Sequence, residues 1–230
     1  MIKIFHGSDH IIKSPDFNKG NIHNDYGKGF YCTRDEERAK EWACKNKVAG
    51  FVNIYDLDDK GLKSVNLLDG KYSVLNWIAL LLKNRTFTVN SEIAIEAKEY
   101  MIENFSVDLT DCDIVVGYRA DDSYFRYAEA FISNTLPVRS LNKALYLGRL
   151  GEQIVIVSEN GFNRISFDSA YQVDSEVYYQ NYYNRDIKAR NTFRNDIKKS
   201  KTYRDDIFVL DILREEIRND DPRIQRIISD

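Results

Sequence analysis

Between Asp25 and Trp42 the chain reads D-Y-G-K-G-F-Y-C-T-R-D-E-E-R-A-K-E-W, a run with the residue types to hold a flat ligand. Gly27 and Gly29 bracket Lys28, so the backbone can bend there or lie close against a bound molecule. Phe30, Tyr31, Cys32 and Thr33 suit a short strand. Asp35 is placed to cap a helix over Glu36–Lys47 that carries Trp42 and Ala43 on one face. A glycine turn, an aromatic strand and a helix bearing another ring can form a slot whose rings hold a planar heterocycle. The same residues also suit a glycine turn between two core strands, and at this level both readings stand.

The surrounding elements must position that slot. Ile2, Ile4 and His6 alternate with Lys3 and Phe5, which predicts a first strand ending at Gly7. Ser8–Asn24 contains Pro15 and Gly20 and reads as a loop arching over the slot. Val48–Leu57 is the next predicted strand, and Asp58–Gly61 a turn. Ser73–Asn84 is apolar on most sides and predicts a buried helix; Ser91 can cap a second over Ser91–Glu103. Asp113–Tyr118 predicts a short buried strand, and Ser123 a cap for the helix Tyr124–Asn134. Asp121 and Asp122, at that junction, are either helix N-terminal acids or groups that close one side of the site. Leu141–Leu150 reads as helix, Gln153–Ser158 and Asn163–Phe167 as strands, with a turn at Glu159–Gly161. Tyr178, Tyr179, Tyr182 and Tyr183 recur at helical spacing and read as core or an interhelical seam, or as a docking surface if exposed. Ile207–Ile217 is one more amphipathic helix.

Composition narrows the class. The chain has 230 residues, enough for one large domain (1–170, with a helical insertion at about 73–104) and a helical C-terminal extension (171–230) packed on it. Thirty-three basic against thirty-six acidic residues give a net charge of -3, so nothing global draws the chain to nucleic acid. Three cysteines without a C-x-x-C suggest neither a disulfide framework nor a zinc site, and no metal constellation is visible. Ile2-Lys3-Ile4-Phe5 shows no signal-peptide pattern, and the longest apolar run, Trp77–Leu82, is too short for a bilayer. The expectation is a soluble, cytoplasmic protein with no membrane partner.

Gly27–Tyr31, preceded by His6-Gly7-Ser8, resembles the motif pair of the poly(ADP-ribose) polymerase and diphtheria-toxin-like ADP-ribosyltransferases, whose triad is histidine, tyrosine and glutamate. More closely, Phe5–Ser8, Asp25–Tyr31, Asp113–Asp122 and the helix-rich tail resemble an uncharacterised bacterial domain family often encoded beside small antitoxin-like proteins. The resemblance implies an α+β (mixed α/β) fold in which two small antiparallel-type sheets flank an NAD cleft. It implies a mono-ADP-ribosyltransferase that modifies an intracellular protein or nucleic acid, the toxin of a toxin–antitoxin pair restrained by a small antitoxin. An NAD glycohydrolase and a non-catalytic NAD or ADP-ribose binder are the alternatives. On this resemblance His6 would bind the adenosine ribose and the Gly7 backbone the carboxamide. Ser8 would make nicotinamide-side contacts and Gly29 would lie against the cofactor. Tyr31 would stack on nicotinamide, with Trp42 on its other face. The glutamate's place falls on Gln153, which can bond the ribose 2′-hydroxyl but brings no charge to the developing cation. A charge about 5 Å away at an effective dielectric of ~20 is worth ~3 kcal/mol, roughly a hundredfold in rate. Glu152, Asp121, Asp122 or the acceptor's own carboxylate are the candidates to replace it.

Overall fold

The computed structural model describes residues 1–86, 91–120, 122–141, 151–199 and 203–229. Its fold is mixed α/β with two sheets. Strands β1 (Ile2–Ser8), β3 (Gly50–Leu57) and β7 (Ile165–Val173) form an antiparallel sheet in the order β1-β3-β7. Strands β2 (Phe30–Cys32), β4 (Ser64–Asn66), β5 (Ile114–Tyr118) and β6 (Glu152–Ile156) form the other, in the order β2-β6-β5-β4. β4 joins β5 in parallel, so this sheet is not wholly antiparallel as expected. One bridge ties the sheets together: Phe5 N–H donates to Thr33 O at 2.9 Å and Thr33 N–H to Phe5 O at 3.0 Å.

Alternation along the strands sets the layers. Ile4, Tyr55 and Leu57 of one sheet meet Phe30, Ile114, Val116, Ile154 and Ile156 of the other in a shared core. Val115 and Val155 point from the opposite face of the second sheet into a larger core. That core is built with helices α2 (Val74–Asn84), α3 (Glu92–Phe105) and α4 (Asp122–Ile132). On the far side, α1 (Glu36–Ala43) lays Ala39, Ala43 and Cys44 against Val52 and Val173 of the first sheet. Each fully buried Leu or Ile contributes about 1.5–3 kcal/mol, and α2 buries every residue from Val74 to Leu82.

The caps Asp35 and Ser91 act as expected, accepting from Glu37 and Arg38 N–H and from Ala94 N–H. α1 ends at Ala43 rather than Lys47, because Cys44 caps it and Lys47 turns the chain at φ 62°. Ser123 lies inside α4, which begins one residue earlier, so it is not the cap. Helix α5 (Glu159–Phe162) replaces the expected turn, its first turn capped by Ser158. β7 runs on to Val173, so the boundary near residue 170 falls within a strand. The tail then forms α6 (Ser175–Lys199), α7 (Val209–Arg214) and α8 (Pro222–Ser229), and Ile207, Val209, Ile212, Ile217 and Ile224 enter the large core. Of the helix expected over Leu141–Leu150, residues 142–150 lie outside the described residues.

Candidate functional site

Where β1 meets β2, a cleft of about 710 Å³ opens, a volume suited to a ligand of cofactor size. His6, Gly7, Gly29, Tyr31, Trp42 and Gln153 all line it, and so does the loop from His10 to Gly20. Residues far apart in the chain are brought together by the bridge between the sheets.

Gly7 shows how. Phe5 turns its N–H and C=O to Thr33, away from β3. Strand alternation then points the Gly7 N–H and C=O the same way, to the open edge. A Cβ on Gly7 would sit 2.1 Å from Ala39 O and 2.6 Å from Ala43 N, so glycine is what lets α1 approach and bring Trp42 to the cleft.

The glycine turn is held as firmly. Gly27 adopts φ +77°, open to glycine but unfavourable for side chains, and a Cβ on Gly29 would meet Val155 Cγ1 at 2.7 Å and Ile156 O at 2.8 Å. The Tyr31 hydroxyl donates to Gly27 O at 2.7 Å and accepts from Tyr26 N–H at 3.0 Å, clamping the turn beneath its own ring. Burial pushes this phenol well up, so it stays a donor at neutral pH. Tyr26 in turn donates to Tyr118 O at 2.6 Å, as does the Trp77 indole N–H at 3.2 Å. These bonds pin the end of β5, from which Arg119 and Ala120 enter the cleft.

His6 stacks on Phe30, ring centroids 4.6 Å apart. Its Nδ1 lies 2.7 Å from Tyr31 O, an acceptor only, so Nδ1 carries the proton and Nε2 the lone pair. Burial lowers the His6 pKa below 6.5, against the opposite pull of the Tyr31 carbonyl. A depressed folded-state pKa gives stability that is complete above the unfolded value and lost as pH falls through the folded one. Melting temperature is therefore expected to fall as the pH drops through and below the ordinary histidine range of about 6.5. His6→Asn, whose amide N–H can replace the Nδ1 donor, is expected to flatten that slope in differential scanning calorimetry.

Two expected side chains are placed differently. The Ser8 hydroxyl donates to His10 O at 2.6 Å and accepts from Asn53 Nδ2 at 2.9 Å, so it anchors the loop and does not line the cleft. Glu152 lies on the face of β6 opposite Gln153, where it takes Arg34 Nη1 at 2.7 Å. Glu152→Gln is expected to change activity by less than about fivefold, the upper range for a surface ion pair of ~1 kcal/mol, in any activity assay. Asp122 opens α4, but its side chain, like Asp121 altogether, lies outside the described residues.

The composition of the cleft holds what sequence reasoning missed. Asp25, 4% exposed, accepts Ala120 N–H at 2.8 Å and Gln153 Nε2 at 3.1 Å on Oδ2, and Arg85 Nη1 at 3.1 Å on Oδ1. Asn84, the last residue of α2, donates to Asp25 O at 3.2 Å, so this helix buttresses the site. The Arg119 guanidinium lies 4.5 Å over the Trp42 ring, covering one face of the indole. The buried Trp42 Nε1–H has no hydrogen-bond partner among the described residues. Lys13, Lys19, Lys45, Arg85 and Arg119 line the cleft against two carboxylates, Asp16 and Asp25. Of the tyrosine stripe, Tyr178 and Tyr179 pack on α1 beneath Lys40 and Lys47, while Tyr182 reaches the cleft.

A family model described as a protein of unknown function (DUF3990) matches residues 2–167. The chain belongs to the DUF3990 family. Every cleft-lining residue except Tyr182 falls inside the DUF3990 span, and α6, α7 and α8 lie beyond it. No curated protein and no solved structure matches the chain. Among the described residues no cluster of three or more His, Cys, Asp or Glu could hold a metal ion, and no helix is long and apolar enough to cross a membrane.

Proposed function

We propose that the cleft binds NAD and transfers its ADP-ribosyl group to an intracellular macromolecule. The observation that carries this reading is the convergence of His6, the open backbone edge of Gly7, Tyr31, Trp42 and Gln153 on one cleft. Nicotinamide stacks on the Tyr31 ring, and its carboxamide pairs with the Gly7 N–H and C=O. The His6 Nε2 lone pair accepts from an adenosine ribose hydroxyl, and the Gln153 Oε1 from the 2′-hydroxyl of the nicotinamide ribose. Five cationic side chains against two carboxylates suit the two phosphates of the dinucleotide.

In the reaction the bond between ribose C1′ and the nicotinamide nitrogen breaks, and its electron pair leaves with nicotinamide. A lone pair of the acceptor forms the new bond to C1′, and the acceptor's proton passes to water. The protein's part is to orient the two groups and to stabilise the positive charge that grows on the ribose. The toxin role, with a small antitoxin as restraint, extends this proposal through the family resemblance alone.

The test is incubation with NAD labelled in its adenylate half, with and without a bacterial lysate. Label in a macromolecule together with free nicotinamide supports the transferase. Free ADP-ribose without lysate moves the reading to a glycohydrolase. No nicotinamide release, with a control transferase active in the same assay, overturns both.

A further inference from the structure

We propose that Asp25 is the positioning residue of this cleft, fixing the amide of Gln153 and supplying through it the negative charge that a glutamate would bring. This rests on the NAD reading above. Gln153 is 3% exposed, and its Nε2 meets Asp25 Oδ2 at 3.1 Å. The other partners of the Asp25 carboxylate, Ala120 N–H and the Arg85 guanidinium, also only donate. Three donors, one of them a guanidinium, converge on the two oxygens, and such charge-assisted bonds favour the ionised carboxylate. Burial does raise the Asp25 pKa above the ordinary carboxylate value, while Arg85, Ala120 N–H and Gln153 pull it back.

Two consequences follow for the site. A glutamine amide has the same shape in either orientation, and only an acceptor such as Asp25 decides which end turns away. With the NH2 group on Asp25, Oε1 is the end left for a ribose hydroxyl. The charge also sits one amide from the place where a glutamate would put it. Arg85 on the other oxygen offsets part of that charge, so Asp25 acts as the negative end of a dipole and its effect is smaller than that of a lone carboxylate. The family resemblance left the glutamate's place to Gln153. The fold supplies a carboxylate from 128 residues earlier in the chain.

The experiment compares kcat and KM for nicotinamide release in wild type, Asp25→Asn and Asp25→Asn/Gln153→Glu, with melting temperatures alongside. Asp25→Asn is expected to lose about tenfold in kcat, with KM within about twofold. The double variant moves the charge to residue 153 and lets the new amide at position 25 donate to it, and kcat is expected to return to within about threefold of wild type. A role confined to holding Arg85 and Ala120 would give no such return. A folded double variant no better than Asp25→Asn, or an Asp25→Asn enzyme at wild-type kcat, overturns the proposal. Should Asp25→Asn alone fail to fold, the double variant decides: it keeps a carboxylate–amide pair at this contact, and a tenfold deficit in it counts against the proposal. An inactive wild type removes the NAD reading instead, and this inference with it.

Discussion

Replacing Tyr31 by alanine is expected to cut nicotinamide release by about two orders of magnitude. On the proposed function the ring is the stacking face for nicotinamide, and loss of one such contact costs about 1–3 kcal/mol. The hydroxyl also clamps the turn through Gly27 O and Tyr26 N–H, so the truncation frees the backbone on which Asp25 sits. Misplacing Asp25 and Gln153 adds to the loss, because positioning is most of what such a site contributes. Tyr31→Phe separates the two roles. It keeps the ring and removes both hydrogen bonds, so it is expected to cost about 1–2 kcal/mol in stability while holding activity within about tenfold of wild type. Both quantities come from a denaturant melt and a steady-state assay on the same preparations. Equal, small losses of activity in the two variants would mean that the ring touches no substrate.

Gly7→Ala is expected to be strongly destabilising. Its Cβ would overlap Ala39 O and Ala43 N, both backbone atoms of α1, at 2.1 and 2.6 Å. No rotamer change relieves that contact, so β1 and α1 must separate. The expected loss is about 3 kcal/mol or more, which for a chain of this size is a fall of roughly 6–12 °C in melting temperature. Gly70→Ala is the matched control, since it adopts φ +80° with nothing within 4 Å of the added carbon. It is expected to cost only the backbone strain, about 1 kcal/mol. The comparison distinguishes crowding from backbone conformation. It also tests whether the N-terminal glycine serves the packing of α1 as well as the open strand edge.

What the sequence disclosed was mostly local. The first strand (ending at Ser8, one residue beyond Gly7), the aromatic strand, the Asp35 cap and the buried α2 all rest on short-range alternation, propensity or capping, and the structure contains each of them. The three residues of β4, Ser64-Val65-Asn66, are too short and polar to show a period, and their place is set by pairing with β5. β7 continues past Phe167 through Asp168, Ser169 and Gln172 because β3 offers it a partner, which no reading of its own residues reveals. The site divides in the same way. His6, Gly7, Tyr31, Trp42 and Gln153 are close to motif or strand signals and meet in the cleft. The Asp25 contacts with Arg85, Ala120 and Gln153 span 60, 95 and 128 residues, and a buried carboxylate looks like any other Asp in a turn until those partners are in place. Ser8 is placed by the same kind of long-range contact: its hydroxyl bonds the His10 carbonyl and Asn53, 45 residues away, and lies outside the cleft lining.

The most direct test is the crystal structure of the protein with an NAD analogue whose glycosidic bond cannot break. The account predicts the nicotinamide ring on Tyr31, its carboxamide paired with the N–H and C=O of Gly7, and the ribose 2′-hydroxyl bonded to a Gln153 amide that still rests on Asp25. An analogue bound with its nicotinamide outside this cleft would contradict the account. So would a cleft left empty at a concentration that saturates a control transferase.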